Sequence, residues 1–400
     1  MKRVKPCCEM DELIGNYILG EDVASFDDII KDDERLEVAT YLSPIAKGLL
    51  GWYFFESSDR VLQVGGWFGA FSEMIASRCE QLDIVEVDDY RAYITKKRLE
   101  DVENICVISR DLQEYIQVCS PKYDVVVYAV DEKIERISTY QEYMQIISML
   151  KTVLKKEGRL FFACSNRFGV KFFCGEPDPA TGIRFDGMTE NNSSLYRFDR
   201  NELLTLFRDI GFKNIKLYYP MPDHRSTQLI YTDEYPPQND MRERLHIYVE
   251  NKTKRLLDEP LLVDKLLKNE VMTFFSNSYL IEASDDILKP LIYSTLSTER
   301  EPQNSFATNI YNNGIVEKIP LYSEGKKSIQ NLIQNITELS KRRIPVLDMK
   351  NISGVAQMKR IEAPSLSTYL KQCVRTDKDE FIRLIDKLWE YILDSSEEVS

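Results

Sequence analysis

Three glycines and an acid have the types and the spacing needed to hold a nucleoside. Gly65, Gly66 and Gly69 follow the apolar run 60–64 and precede a predicted helix, and Glu86 stands 21 residues after Gly65 at the end of a second apolar run. Glycine lets the backbone approach a ligand at a helix amino end, and a carboxylate in that place can accept hydrogen bonds from both ribose hydroxyls. The pattern favours an adenosine-containing cofactor. The alternative is a tight turn between strand and helix, with Glu86 as a solvated strand end.

The glycines do not have the spacing of a dinucleotide-binding turn. Trp67 takes the place of the second glycine, so the stretch does not read G-x-G-x-x-G. The sequence therefore argues against bound NAD or FAD and disfavours an NAD-dependent oxidoreductase.

Two further acids follow predicted strands. Asp111 comes after the third strand, where an acid or its neighbouring backbone can bind an adenine amino group, but it could equally cap the helix that follows. Asp131 ends the fourth strand, next to Glu132, in the position nearest to a transferred group, although both could be exposed loop acids. Taken singly, these acids are weak evidence for a binding site. Only their occurrence after successive predicted strands supports one.

Several side chains at predicted carboxyl-end loops could act as a general base, although each is more typical of a turn. His224, beside Asp223, is the one expected to titrate near neutral pH. The candidates are Asp131, Asn166, Asp186, Asp223 and His224.

Strands and helices alternate in the part of the chain that positions these residues. This alternation predicts right-handed crossovers and a doubly wound, mostly parallel sheet. The irregular stretch 166–196 follows the fifth strand and is long enough to suggest a functional loop. Predicted strands lie at 60–64, 82–87, 104–108, 123–130 and 159–165, and predicted helices at 70–79, 89–100, 112–119, 138–156 and 199–210.

The sheet is predicted to end in an antiparallel hairpin. Residues 212–220 and 227–232 look like strands, and the link between them is too short to hold a helix, so they must run antiparallel. A mostly parallel, seven-stranded sheet with such an end separates methyltransferase-like architecture from the dinucleotide dehydrogenases.

Composition limits the kinds of binding partner and the cellular compartment that are expected for this protein. The chain of 400 residues has 43% hydrophobic residues and a formal net charge of −13, which disfavours a large nucleic-acid footprint. No apolar run approaches the roughly 20 residues of a membrane span. Eight cysteines without a C-x-x-C pair and only two histidines suggest neither disulfides nor a metal centre, and a reducing cytoplasm is expected. The oligomeric state is left open.

The series of glycines and acids resembles the class I S-adenosylmethionine-dependent methyltransferases. Their first motif reads E-x-G-x-G-x-G, and this chain reads Gln63-Val64-Gly65-Gly66-Trp67-Phe68-Gly69. The resemblance implies S-adenosylmethionine as cofactor, with the three glycines at its methionine moiety, Glu86 at the ribose, and Asp111 with Leu112 at the adenine. Residues 159–235 also resemble a bacterial subgroup found beside surface-polysaccharide functions, which implies a small-molecule or sugar-containing acceptor.

Two residues depart from the family motif. Gln63 replaces the acid that usually orients the amino group of the cofactor, and Trp67 replaces a glycine beside it. An amide lacks the charge that attracts an ammonium group, and an indole can either wall or fill the pocket. The second hypothesis is therefore a degenerate methyltransferase fold that serves as a scaffold for the C-terminal part of the chain.

The C-terminal part bears a looser resemblance to the opening lobe of a kinase-like fold. Residues 316–321, which include Lys318, resemble the strand whose lysine pairs nucleotide phosphates, and Glu338 lies in the helix that follows. No glycine-rich loop precedes this strand, so an interaction module is equally open, and the chain could be a fragment. The predicted organisation is a helical cover at 1–58, the methyltransferase domain at 59–236, a helical connector at 237–290, and the C-terminal module at 291–400.

Overall fold

Thirteen strands form one sheet in the part of the chain that the computed structural model describes. That part comprises residues 5–20, 26–33, 35–119, 122–179, 181–188, 195–237, 241–245, 256–297, 300–342, 344–363 and 365–395. The strands are β1 (Arg60–Val64), β2 (Gln81–Glu86), β3 (Ile105–Ser109), β4 (Tyr123–Ala129), β5 (Leu154–Ser165), β6 (Asn214–Met221), β7 (Leu229–Tyr231), β8 (Ser278–Ser284), β9 (Leu291–Leu296), β10 (Phe306–Tyr311), β11 (Ile315–Pro320), β12 (Met349–Ile352) and β13 (Val355–Lys359).

Fourteen α-helices are described in the same ranges, together with short 3-10 turns such as Pro44–Leu49. The helices are α1 (Glu9–Leu19), α2 (Phe26–Asp32), α3 (Leu36–Leu42), α4 (Ser72–Ala76), α5 (Asp89–Arg98), α6 (Leu112–Val118), α7 (Tyr140–Val153), α8 (Val170–Phe173), α9 (Arg200–Asp209), α10 (Met241–Arg244), α11 (Glu259–Lys268), α12 (Gly325–Lys341), α13 (Leu366–Thr376) and α14 (Lys378–Ser395).

The parallel core of the sheet agrees with the prediction. Its strands lie in the order β3-β2-β1-β4-β5, and each neighbouring pair is parallel. The order reverses between β1 and β4, and ligands bind at the carboxyl edge of such a reversal. The predicted α/β fold class is therefore confirmed, although the described sheet has thirteen strands where seven were predicted.

The strand between β5 and β6 was not predicted from the sequence. β8 lies there and runs antiparallel to both neighbours, whereas β7, the second strand of the predicted hairpin, pairs with the other side of β6. The hairpin itself is confirmed. The short link places β7 beside β6, and β7 lies on the side of β6 that faces away from β5.

The predicted helical connector at 237–290 is helical only in part. α10 and α11 lie in it, but β8 occupies 278–284 and is buried along its whole length. Burial on both faces removes the polar alternation that marks a strand in sequence, which is why this one was missed.

Side-chain caps set the helix starts that position the site. Asp88 caps α5, and Asp199 forms a capping box with Glu202 at α9, as predicted for Asp199. The predicted stop at Gly211 adopts a φ of 87°. The predicted helix 138–156 is shorter, however, because β5 begins at Leu154.

The C-terminal part continues the same sheet. β9 pairs antiparallel with β7, and the order runs on through β10, β11, β13 and β12. α12 packs against β12 and β13. Glu338 pairs with Lys341 at 2.7 Å, and Lys318 Nζ lies 4.5 Å from the ring centre of Phe306. The kinase-like resemblance stays a prediction.

Each face of the parallel core carries its own apolar cluster, because neighbouring residues of a strand point to opposite faces. Val61 and Val125 belong to one cluster, and Leu62 and Val126 to the other. Within the described ranges, no helix has both the length and the apolar character that crossing a membrane requires.

Candidate functional site

A cavity of about 350 Å³ opens at the carboxyl ends of the central strands. Its walls come from β1, β2 and β4, from the start of α6, and from the stretch that follows β4. Lining residues include Gly65, Trp67, Glu86, Asp111, Leu112 and Asp131, all singled out by the sequence. The volume lies at the lower end of the roughly 300–1,000 Å³ of ligand pockets.

The turn after β1 brings main chain to the cavity. Gly65 has a φ of 77° and Gly69 a φ of 80°, a region that other residues rarely adopt. At Gly66 a Cβ would lie 3.0 Å from Thr95 Oγ1 and 3.4 Å from Glu86 Oε2. Gly65 lines the cavity, whereas Gly66 and Gly69 shape the turn behind it.

Glu86 ends β2 and lies in the cavity wall. The Gly66 amide donates to its Oε2 at 2.8 Å, and the Asp88 amide donates to its Oε1 at 3.3 Å. Burial raises the pKa of this carboxyl, and those two hydrogen bonds offset only part of the effect. The contacts fix the carboxylate at the cavity, where its remaining lone pairs can accept hydroxyl donors.

Asp111 and Leu112 line the cavity from the end of β3. The Asp111 carboxylate accepts the amides of Gln113 and Glu114 and caps α6, which confirms the helix-cap alternative, whereas the contact of Asp111 with an adenine stays a prediction. Both amides donate to Oδ1, so Oδ2, the backbone of Asp111 and Leu112 stay available to a ligand at this side of the cavity.

Gln63 is a structural residue of the turn. It is fully buried, its Nε2 donates to the carbonyl oxygens of Gly65 at 2.9 Å and Gly66 at 3.4 Å, and its Oε1 accepts the Ser72 hydroxyl at 2.9 Å. An acid could not donate to those carbonyls. Gln63 therefore directs no free donor or acceptor to the cavity. Its predicted contact with a cofactor lacks support.

Trp67 forms the wall between the ends of β1 and β4. Its Nε1 donates to the Ala129 carbonyl at 3.1 Å, and its rings contact Tyr41, Phe71 and His224 edge to face. Only 2% of the residue is exposed, with a φ of 46°. The indole is packed as a fixed wall at the strand ends.

Asp131 lines the cavity, but it is already paired. Arg91 Nη1 lies 2.7 Å from its Oδ2, and the Tyr41 hydroxyl donates to the same oxygen at 2.7 Å. Burial alone would raise the pKa of Asp131, but the charge of Arg91 and these hydrogen bonds outweigh it and hold the pKa below its usual value. A carboxylate so stabilised is a poor general base.

The other two predicted catalytic residues do not line the cavity. Asn166 Nδ2 donates to the carbonyls of Phe274 and Ser276, both at 2.8 Å. His224 is fully buried, with Nδ1 2.8 Å from the Ser278 hydroxyl and Nε2 3.3 Å from the Val130 carbonyl. Neither is a lining residue, so both predicted catalytic roles lack support.

The remaining candidates are also turn or ion-pair residues. Asp223 pairs with Lys171 at 2.7 Å and with Arg225 at 3.1 Å, and Asp186 accepts the amide of Gly187. The loop 166–196 that carries several of them is described except at residues 180 and 189–194, which lie outside the described ranges.

Sequence reasoning missed four charged residues of the cavity, Arg91, Arg110, Glu135 and Arg136, of which Arg91 and Glu135 contact the predicted site residue Asp131. Arg91 joins Asp131 to Asp11 in α1, with Nη2 2.6 Å from Asp11 Oδ1. Glu135 lines the cavity and accepts the Tyr128 hydroxyl. Spacing could have pointed to Glu135, which stands four residues after Asp131, but nothing in the sequence distinguishes it from neighbouring loop acids.

One group of potential metal ligands stands in the described part of the chain. Cys7, Cys8 and Asp11 have ligand atoms within 4.8 Å of one another. Burial and a hydrogen bond to Asp11 raise the pKa of the Cys7 thiol to about 12, and Asp11 already pairs with Arg91. The position of Asp11 in this group is therefore better explained by its ion pair with Arg91 than by a bound metal ion.

The cavity suits the adenosine half of S-adenosylmethionine. Glu86 offers a fixed carboxylate, and Val87, Leu112 and Ile137 offer apolar surface. The methionine half would lie beside Trp67. The acid of the family motif is replaced there by Gln63, whose amide group is already hydrogen-bonded within the turn. The residues thus fit the cofactor at the nucleoside end and leave the amino-acid end to the backbone of the turn.

Comparisons with known proteins agree with this architecture. Residues 55–173, which contain β1 to β5, match the family model described as Nodulation protein S (NodS). The rRNA adenine N-6-methyltransferase of Limosilactobacillus reuteri is 32% identical over 59 residues, or 15% of this chain and 24% of that protein. The match thus spans about a quarter of that relative's length.

Two solved structures show the same kind of similarity. A SAM dependent methyltransferase from Archaeoglobus fulgidus is 14% identical, with 60% of this chain and 92% of that chain covered and a TM-score of 0.37. The N-methyltransferase NodS from Bradyrhizobium japonicum WM9, in complex with S-adenosyl-l-homocysteine, is 16% identical, with 40% and 75% covered and a TM-score of 0.28. The family match confirms the predicted resemblance to class I methyltransferases, whose cofactor is S-adenosylmethionine.

Proposed function

We propose that this protein transfers a methyl group from S-adenosylmethionine to a small-molecule acceptor. The observation that carries the proposal is the convergence of Gly65, Glu86 and Leu112, which lie in three separate segments, on one cavity at the carboxyl edge of the sheet. Bound there, the cofactor would supply a methyl group activated on a sulfonium sulfur.

The residues of the chain would hold the nucleoside and exclude water. The fixed carboxylate of Glu86 accepts two hydroxyl donors, the apolar surface of Val87 and Leu112 flanks a base, and Trp67 closes the wall beside the reacting end. Displacement at a sulfonium needs chiefly alignment of the acceptor with the methyl group, so a strong general base is not required. Methyl transfer would therefore not depend on Asp131, which is held as a paired carboxylate.

The net charge of −13 supports a small acceptor over RNA, because a phosphate backbone requires a concentration of positive charge. The match to an rRNA methyltransferase keeps the prediction of no nucleic-acid partner open. The sugar-containing surface precursor, the bacterial origin and the cytoplasmic location remain predictions. The scaffold alternative is not favoured by the family match.

Calorimetric titration with S-adenosylmethionine and S-adenosylhomocysteine tests the proposal. Both ligands should bind, and Glu86→Gln should weaken them about 10- to 150-fold because hydrogen bonds to a charged group contribute about 1.5–3 kcal/mol. Glu80→Gln is the matched control, since Glu80 is exposed just before the amino end of the same strand. No binding of either ligand at millimolar concentration would reject the proposal.

A further inference from the structure

Four carboxylates line the cavity, and three of them are already bound in other ways. Glu86 accepts two backbone amides, Asp111 caps α6, and Asp131 pairs with Arg91. Glu135 contacts the Tyr128 hydroxyl and, at 3.4 Å, the Asp131 amide, and no salt bridge to it is found among the described residues. It is therefore the carboxyl of the cavity least compensated by the protein.

The charges around Glu135 oppose its ionisation. Burial raises its pKa to about 8, and the negative charges of Asp131 and Glu86 add to the effect. The Tyr128 hydroxyl and the Asp131 amide offset part of it. The charged and titratable groups that share the cavity with Glu135 are Glu86, Arg91, Arg110, Asp111, Tyr128, Asp131 and Arg136.

A charge placed beside Glu135 acts on its carboxyl. Glu135 lines the cavity directly, and physiological salt screens a charge only beyond roughly 8 Å. A cation inside would favour the ionised carboxyl, whereas a neutral ligand of the same shape would not.

We propose that Glu135 is the charge-selective group of the cavity: its carboxyl loses its proton to solvent when a positively charged ligand enters. The cavity then prefers the sulfonium of S-adenosylmethionine to the neutral thioether that remains after methyl transfer. Loss of the methyl group removes the positive charge, the carboxyl takes a proton back from solvent, and the product is held less tightly. This inference rests on the proposed function.

Proton release on binding tests the inference with both ligands. Titrations at pH 7 in two buffers of different ionisation enthalpy give the number of protons released per ligand bound. The ligand's own protons are common to both proteins, so the difference between the unmodified protein and Glu135→Gln reports this carboxyl. The difference should be about 0.4 to 0.9 proton for S-adenosylmethionine, for pKa decreases of one unit and of several units, and close to zero for S-adenosylhomocysteine.

Affinity gives a second measurement. At pH 9 Glu135→Gln should weaken S-adenosylmethionine about tenfold for each unit by which the pKa falls, and at pH 6 the loss should be smaller. S-adenosylhomocysteine should bind the two proteins alike at both pH values. Glu80→Gln, an exposed acid outside the cavity, should match the unmodified protein throughout.

The outcomes separate this inference from the proposed function. If both ligands bind but Glu135→Gln changes neither proton release nor the preference for the cation, the inference is wrong and the proposed function stands. If neither ligand binds, both are wrong. Should Glu135→Gln fail to fold, Glu135→Ala gives the same difference in proton release, because it also removes the carboxyl while the ligand's own protons still cancel.

Discussion

Gln63 shows how one side chain can serve the fold in a place where the family motif has a ligand contact. Its side-chain amide makes hydrogen bonds in both roles. Nε2 donates to the carbonyls of Gly65 and Gly66, and Oε1 accepts the hydroxyl of Ser72. An amide can do both at once, whereas a carboxylate can only accept. The departure from the motif therefore has a structural reason, and the turn is stabilised without a buried charge.

Restoring the acid of the motif should destabilise this protein. In Gln63→Glu a carboxylate oxygen would face the carbonyls of Gly65 and Gly66 in a fully buried position, which should cost about 1–3 kcal/mol of unfolding free energy at pH 7. Urea denaturation measures the change, and titration with S-adenosylmethionine should show no gain in affinity.

Ser72→Ala is the matched comparison for Gln63→Glu. It removes only the donor to Gln63 Oε1 and should cost about 1 kcal/mol. If Gln63→Glu were as stable as the unmodified protein and bound the cofactor more tightly, the side chain would have to face the ligand.

The N-terminal helices are tied to the site by one buried arginine. Arg91 projects from α5, pairs with Asp11 in α1 and with Asp131 after β4, and lies 5.4 Å from the ring centre of Tyr41 in α3. About 1% of it is exposed. The predicted helical cover is thus joined to the cavity by charge as well as by apolar packing, and Arg91 fixes the position of Asp131.

Removing Arg91 should destabilise the elements that it joins. Arg91→Met leaves Asp11 and Asp131 buried without their cation, and breaking a buried ion pair in this way costs about 3–5 kcal/mol. Urea unfolding at pH 7 measures the loss. Arg110→Met is the control, because Arg110 lines the same cavity but is exposed, and its replacement should change stability by less than about 0.5 kcal/mol. Equal effects of the two changes would contradict the role given to Arg91.

At the scale of the whole molecule, the sheet does not divide where the sequence suggested. β8 is hydrogen-bonded on both sides, with seven residue pairs to β5 and five to β6. In the described sheet, β8 is the strand that hydrogen-bonds β6, and through it β7, to the parallel core. The methyltransferase-like sheet therefore depends on residues beyond the predicted boundary at 236.

A chain ending at residue 236 should fail to form this sheet. Without β8 the hairpin of β6 and β7 has no partner strand on the core side, and one edge of β5 loses its hydrogen bonds, so cooperative urea unfolding should be absent. A chain ending at residue 297 retains β8 and β9 and is the matched control, which should unfold cooperatively. A cooperative transition of the shorter chain would show that β8 is dispensable.

Local pattern determined a large part of this protein. The parallel strands β1 to β5, the glycine turn, the cap at Asp199 and the positions of Glu86 and Asp111 follow from apolar runs, turn residues and capping residues close together in the chain. Those features depend on neighbours within a few residues. A single sequence is therefore enough to predict them.

Only the tertiary structure decided which polar groups face the cavity. Gln63, Asn166 and His224 look available in sequence, but the hydrogen bonds that occupy Asn166 and His224 come from strands and loops 50 to 110 residues away. Glu135 looks like an ordinary loop acid, yet burial beside Asp131 and Glu86 sets it apart. The position of β8 was hidden for the same reason, since pairing and burial between distant segments leave no local pattern.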